Sequence, residues 1–198
     1  MKYQYWLGCD PGTASFGISV IRYNPETGGI KILYVTILDN PIKNLTETPV
    51  RPKNRRGKST LERDEPSFAI GARLFLDEIE WILDTFKITH IAGERFQSRG
   101  VTKGDVIEAV NIMLGIITLL AIKRGITFVT ITAGVWKNAM ARLGVDLTSA
   151  YEHGKVKYRI PAHLIDASLI ALWHINRDIV WSIPRLLKTI NKLIAKSA

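Results

Sequence analysis

Apolar residues recur along this chain with two different periods. Runs rich in Ile, Val, Tyr and Trp over residues 5–9, 16–22 and 30–38 predict three β-strands. Asp10-Pro11-Gly12-Thr13 and Asn24-Pro25-Glu26-Thr27-Gly28-Gly29 have turn composition, which joins the three as an antiparallel meander. The stretch 40–66 is polar, holds Pro41, Pro49, Pro52 and Pro66, and reads as a long exposed loop. From residue 67 the period lengthens: Phe68, Ala72, Phe75, Leu76, Ile79, Ile82 and Leu83 share one face of a helix over 67–86. A strand over 88–93, a helix from about 103 to 124 and a strand over 126–131 follow. Thr132 is placed to cap a helix through Trp136, Met140 and Leu143. After a less regular stretch, Pro161 opens a helix to about residue 176. The tail places Leu186, Leu187, Ile190, Leu193 and Ile194 at helical spacing, with Arg185, Lys188, Lys192 and Lys196 on the other faces. The order β-β-β-α-β-α-β-α-α plus a tail predicts an α/β fold: one mixed five-stranded sheet with helices on both faces.

Three acids stand at telling places in that order. Asp10 closes the first strand, Glu94 closes the fourth, and Asp166 lies in the first turns of the helix opened by Pro161. Each has a plain reading alone: a turn residue, an ion-pair partner of Arg95 or Arg99, and an acid favoured by the helix dipole. Together they say more, because a carboxylate at the end of a buried strand is costly unless something compensates it. If the first and fourth strands are parallel neighbours, both acids emerge at the carboxyl edge, where open α/β sheets place their ligands. His163 and Asp166, three apart, share a helix face aimed at that edge. Hard carboxylate oxygens suit Mg²⁺ or Mn²⁺, and imidazole suits Mn²⁺ better. Two such ions about 4 Å apart serve phosphodiester hydrolysis. The expected roles are Asp10 as the bridge, Glu94 and Asp166 holding one ion each, and His163 as a ligand or a positioner of the attacking water.

Composition narrows the setting. The chain has 198 residues, 46 % apolar and 23 % charged, enough for one domain with a real core. Its 27 Lys and Arg against 18 Asp and Glu give a net charge of +9, which favours polyanionic partners. Cys9 is the only cysteine, so an intramolecular disulfide and a cysteine zinc cluster are excluded, and a buried apolar role is expected for it. The longest apolar run, 112–122, is shorter than the roughly 20 residues a bilayer requires, and the amino terminus lacks a secretory pattern. A soluble cytoplasmic protein without membrane association is expected.

Four segments resemble the RuvC Holliday-junction resolvases of the RNase H-like superfamily. Gly8-Cys9-Asp10-Pro11-Gly12-Thr13-Ala14-Ser15-Phe16-Gly17 is similar to their opening motif, and Ile91-Ala92-Gly93-Glu94 to their glutamate-ending strand. Thr132-Ala133-Gly134-Val135-Trp136-Lys137 resembles the segment after their fifth strand. His163-Leu164-Ile165-Asp166-Ala167 resembles their closing Asp-x-x-Asp-Ala, with His in the first place. The resemblance implies a homodimer that nicks four-way (Holliday) junction DNA symmetrically on opposed strands, with two Mg²⁺ or Mn²⁺ ions per active site. It implies no nucleotide cofactor, since the further glycine motifs of actin-like ATPases are missing. Within it, residues 1–177 form the nuclease domain with a basic insertion at about 40–66, and 178–198 form a basic amphipathic helical extension. An RNA-processing or general nuclease of this superfamily, or a junction-binding protein that does not cut, are the alternatives.

The expected DNA-binding residues are Arg51, Lys53, Arg55, Arg56 and Lys58 in the loop, with Arg99, Lys103, Lys137, Lys155, Lys157 and Arg159 bordering the motif segments. The resemblance implies an aromatic shortly after the glutamate that stacks on an unpaired base; Phe96 is close to that place, and core packing is its other reading. Tyr151 and Tyr158 could stack on bases near the active edge, and a packed aromatic is the expected role of each. His90, His153 and His174 are expected to be structural or surface residues. The long apolar face of the helix over 105–123 suits both a core and a dimer interface.

Overall fold

A computed structural model describes residues 3–12, 15–39, 67–95, 104–175 and 182–197. Its strands are β1 (Gln4–Pro11), β2 (Ser15–Asn24), β3 (Gly29–Asp39), β4 (His90–Arg95) and β5 (Thr127–Thr132). Its helices are α1 (Ser67–Phe86), α2 (Gly104–Arg124), α3 (Ala133–Arg142), α4 (Leu147–Tyr158), α5 (Ala162–Ile175) and α6 (Ile183–Ser197). The sheet order is β3-β2-β1-β4-β5. β1 pairs antiparallel with β2 and β2 with β3, while β4 runs parallel to both β1 and β5. The meander turns as its composition predicts: the Asn24 side chain accepts from the amides of Glu26 and Thr27, and Gly28 takes a left-handed φ of 68°.

The expected mixed sheet is therefore present, and one expectation is corrected. The stretch before Pro161 is not irregular but carries α4, with Asp146 as N-cap accepting from the Ser149 amide at 3.1 Å. Thr132 does precede α3, yet its side chain makes no capping bond. The loop 40–66 lies outside the described residues, as do Phe96, Arg99 and Lys103.

Alternation along the strands divides the interior in two. Leu7, Cys9, Ile18 and Val20 pack with Phe75, Ile79 and Ile82 of α1 and Val110, Met113 and Ile117 of α2. Trp6, Ile21 and Ala92 pack on the other face with Trp136 of α3 and Leu164, Ile165 and Leu169 of α5. α6 joins that second layer by burying Leu186, Leu187 and Ile190. Arg124 at the end of α2 pairs with Glu80 and Asp84 of α1, closing the first layer.

α5 lies directly on bare backbone. A methyl group added at Gly8 would overlap the Ala167 carbonyl, and one added at Gly17 would overlap the His163 carbonyl. Between these contacts the buried Ser19 and Ser168 hydroxyls are 2.9 Å apart, and Ser168 donates to the Leu164 carbonyl at 2.8 Å. Glycine on β1 and β2 is thus what lets α5 settle against the sheet. Among the described residues no helix is long and apolar enough to cross a membrane.

Candidate active site

β1 and β4 are parallel neighbours with Cys9 opposite Gly93, so Asp10 and Glu94 follow side by side at the carboxyl edge. Residues 6, 8 and 10 of β1 point to the α5 side of the sheet, as do 92 and 94 of β4. α5, held on Gly8 and Gly17, presents His163 and Asp166 to the same place. Asp10 and Asp166 are buried, and Glu94 and His163 are half-buried.

Each of the four has a specific protein partner. Nδ1 of His163 is 2.6 Å from Oδ2 of Asp10. Trp136, fully buried on α3, donates its indole N–H to Glu94 at 2.8 Å. Asp166 accepts from the Lys137 ammonium at 3.0 Å and from the Tyr151 hydroxyl at 2.5 Å. Gly12 is required beside this group, because a Cβ there would stand 2.5 Å from the Ser15 carbonyl oxygen and 2.5 Å from Cε1 of the His163 ring.

Burial shapes the protonation of the site. Desolvation lifts the Glu94 carboxyl above its usual range, and the indole donor and the Lys137 charge work against that lift. Desolvation also raises Asp166, opposed by its bonds to Tyr151 and Lys137. The hydrogen bond to Asp10 raises the His163 imidazole, outweighing its own burial. Burial, then the charge of Asp166, pushes the Tyr151 hydroxyl up and keeps it protonated as a donor. Cys9 is fully buried, and its thiol is pushed up by burial and by Asp10, which leaves it inert.

The donor set fits divalent ions: three hard carboxylates and an imidazole, with mutual repulsion among the acids that a cation would relieve. Lys137 now supplies part of that positive charge. As placed, no three His, Cys, Asp or Glu side chains among the described residues surround a common point. Each acid is instead held by its own donor.

Of the expected DNA-binding residues, Lys155, Lys157 and Arg159 are exposed around the end of α4, and Lys137 is half-buried on Asp166. Trp136 and Tyr151 are the site residues that the sequence reading missed. In the sequence Trp136 reads as an apolar helix position and Tyr151 as a packed aromatic, whereas both donate to the acids. The lone signal for them was adjacency: Trp136 precedes Lys137 in a segment already singled out.

No protein-family model matches this chain, and no curated protein matches its sequence. Solved structures do. The chain is similar to Thermus thermophilus RuvC in complex with a Holliday junction substrate, at 17 % identity and a TM-score of 0.59, over 94 % of this chain and 98 % of that one. It is similar to the yeast mitochondrial Holliday junction resolvase at 14 % identity and a TM-score of 0.55, over 98 % of this chain and 86 % of that one. The fowlpox virus resolvase bound to Holliday junction DNA aligns with a TM-score of 0.50 at 8 % identity, over 89 % of this chain and 100 % of that one. The fold is thus the RNase H-like fold of RuvC and related resolvases.

Proposed function

We propose that this protein is a divalent-metal-dependent endonuclease that resolves four-way DNA junctions by paired symmetric nicks. The observation that carries the reading is the meeting of Asp10, Glu94, His163 and Asp166 at one sheet edge, on a fold shared with junction resolvases. Asp10, Glu94 and Asp166 would hold Mg²⁺ or Mn²⁺, with His163 a ligand or a water positioner. Two bound ions supply Lewis acidity at the phosphodiester and an attacking water of lowered pKa. The protein's own part is to fix the acids through Trp136, Tyr151 and Lys137 and to keep Nδ1 of His163 on Asp10, which leaves Nε2 either to hold an ion or to take a proton from the attacking water. Lys137, Lys155, Lys157 and Arg159 would hold phosphates along this edge, setting affinity without reading sequence. Arg51, Lys53, Arg55, Arg56, Lys58, Phe96, Arg99 and Lys103 are proposed contacts on the residue chemistry alone.

A homodimer would place two such edges on opposed strands. α2 supports one, because it is apolar on both sides: Val110, Met113 and Ile117 are buried, while Leu119 and Ile122 are 66 % and 73 % exposed.

The test is cleavage of a synthetic four-way junction beside a linear duplex and an RNA, in Mg²⁺, Mn²⁺ or EDTA. Paired nicks in the junction alone, absent with EDTA, are expected. Asp10→Asn should abolish them while leaving junction binding nearly intact. Cutting of duplex or RNA as readily as junction would make the protein a general nuclease. Tight junction binding with no cut in either metal would make it a binding protein.

A further inference from the structure

Resting on that reading, we propose that the furrow between edge strand β3 and α6 is a second DNA contact, taking the phosphate backbone of a duplex arm that leads away from the cut. Two adjoining hollows form it. One is bounded by Lys31 and Lys196, the other by Arg159 and Pro161, and they share Val35. β3 runs towards the catalytic edge, since it is antiparallel to β2, and β2 to β1. The Lys31 end is therefore the far end, and the Arg159–Pro161 end adjoins the start of α5, which carries His163 and Asp166. From residue 31 to residue 37 a strand covers about 20 Å. That is the rise of about six base pairs at 3.4 Å each.

The chemistry favours a duplex backbone as occupant. The furrow is lined by Lys31, Lys196 and Arg159 and by no acid. All three cations are exposed, and none is in an ion pair with a described residue. α6 adds Lys188 and Lys192, exposed and four apart in register with Lys196, and has no Asp or Glu along its length. An unstacked single strand would need an aromatic platform. Tyr34, the furrow's one aromatic, has its ring committed to Phe86 and Trp81, at centroid distances of 5.3 and 5.8 Å.

Arg159 marks the join between furrow and site. It ends α4 in the left-handed region, at φ 55°, where glycine is favoured. As the C-cap of α4 it is fixed in place by the helix end, so its exposed cation stands at the mouth of the furrow beside Pro161.

The experiment pairs full-length wild type with the variant Lys31→Gln/Lys196→Gln, both substitutions being at exposed side chains. A four-way junction is the probe, read by hydroxyl-radical footprinting and by the dependence of affinity on salt. Wild type should protect the arm backbone for about six base pairs beyond the cut. The variant should lose that outer protection while keeping the protection at the crossover. Its log–log salt slope should fall by about 1.8, so that the affinity lost between 50 and 200 mM salt shrinks about twelvefold. An unchanged footprint and slope, with wild type nicking the junction, would overturn this proposal alone. Wild type that gives no paired nicks would sink the resolvase reading itself. Loss of binding to phosphatidylserine vesicles with the DNA footprint intact would reassign the furrow to a membrane surface and so overturn its role on DNA.

Discussion

Tyr151 reaches Asp166 from α4 with a 2.5 Å hydrogen bond, and its phenol stays protonated because burial and the acid's charge both oppose ionisation. A hydroxyl in that position fixes which way the carboxylate faces. Partners one step removed from a metal ligand typically change metal affinity by about 10–100-fold when lost. Tyr151→Phe should accordingly fold normally and need about 10–100 times more Mn²⁺ for half-maximal thermal stabilisation. An unchanged midpoint would reduce Tyr151 to packing. Asp10 and Glu94 were legible in sequence because a charge ending an apolar run stands out without any knowledge of its neighbours. Trp136 and Tyr151 were not, because a buried aromatic with a donor at its tip has the same pattern as a core aromatic without a target. Only the tertiary placement of α3 and α4 reveals where the N–H and O–H point.

α4 is the element the chain conceals. Its two fully buried positions, Ala150 and Gly154, are small, and its other faces mix Glu152, His153, Lys155 and Lys157, so no apolar stripe announces a helix. The capping pair Asp146 and Ser149 was the readable signal. The strands and α1, α2 and α5 were legible, by contrast, because each buries a broad apolar face. Arg159 at the end of α4 allows a test in which stability and function move in opposite directions. Relieving a left-handed non-glycine residue is worth about 1 kcal/mol. Arg159→Gly should therefore raise the melting temperature by about 2–4 °C and at the same time weaken junction binding. A variant that both melts lower and binds normally would make Arg159 a structural cap.

Across the whole molecule, the proposed metal site would make stability depend on pH and metal together. Glu94, Asp166 and His163 are all raised in the folded state, so each favours folding when protonated. That contribution is complete below their ordinary values, near 4 for the acids and 6.5 for the imidazole, and is lost as pH rises through the raised ones. In EDTA, the melting temperature should fall between about pH 5 and pH 8. Mn²⁺ should raise it most at the upper end, where the ligands are already deprotonated. Asp166→Asn should flatten both effects in the same scan, and a chelated protein equally stable across that range would refute the coupling. Geometry at this scale depends least on side chains. Gly8 and Gly17 set α5 against the sheet main chain to main chain, and peptide groups are the same in every sequence. The separation between the helix-borne Asp166 and the strand-borne Asp10 is therefore insulated from whatever fills the rest of the core. A chain that shares only 17 % of its residues with another of the same fold can thus keep its helix on its sheet, because a main-chain contact is indifferent to which side chains differ around it.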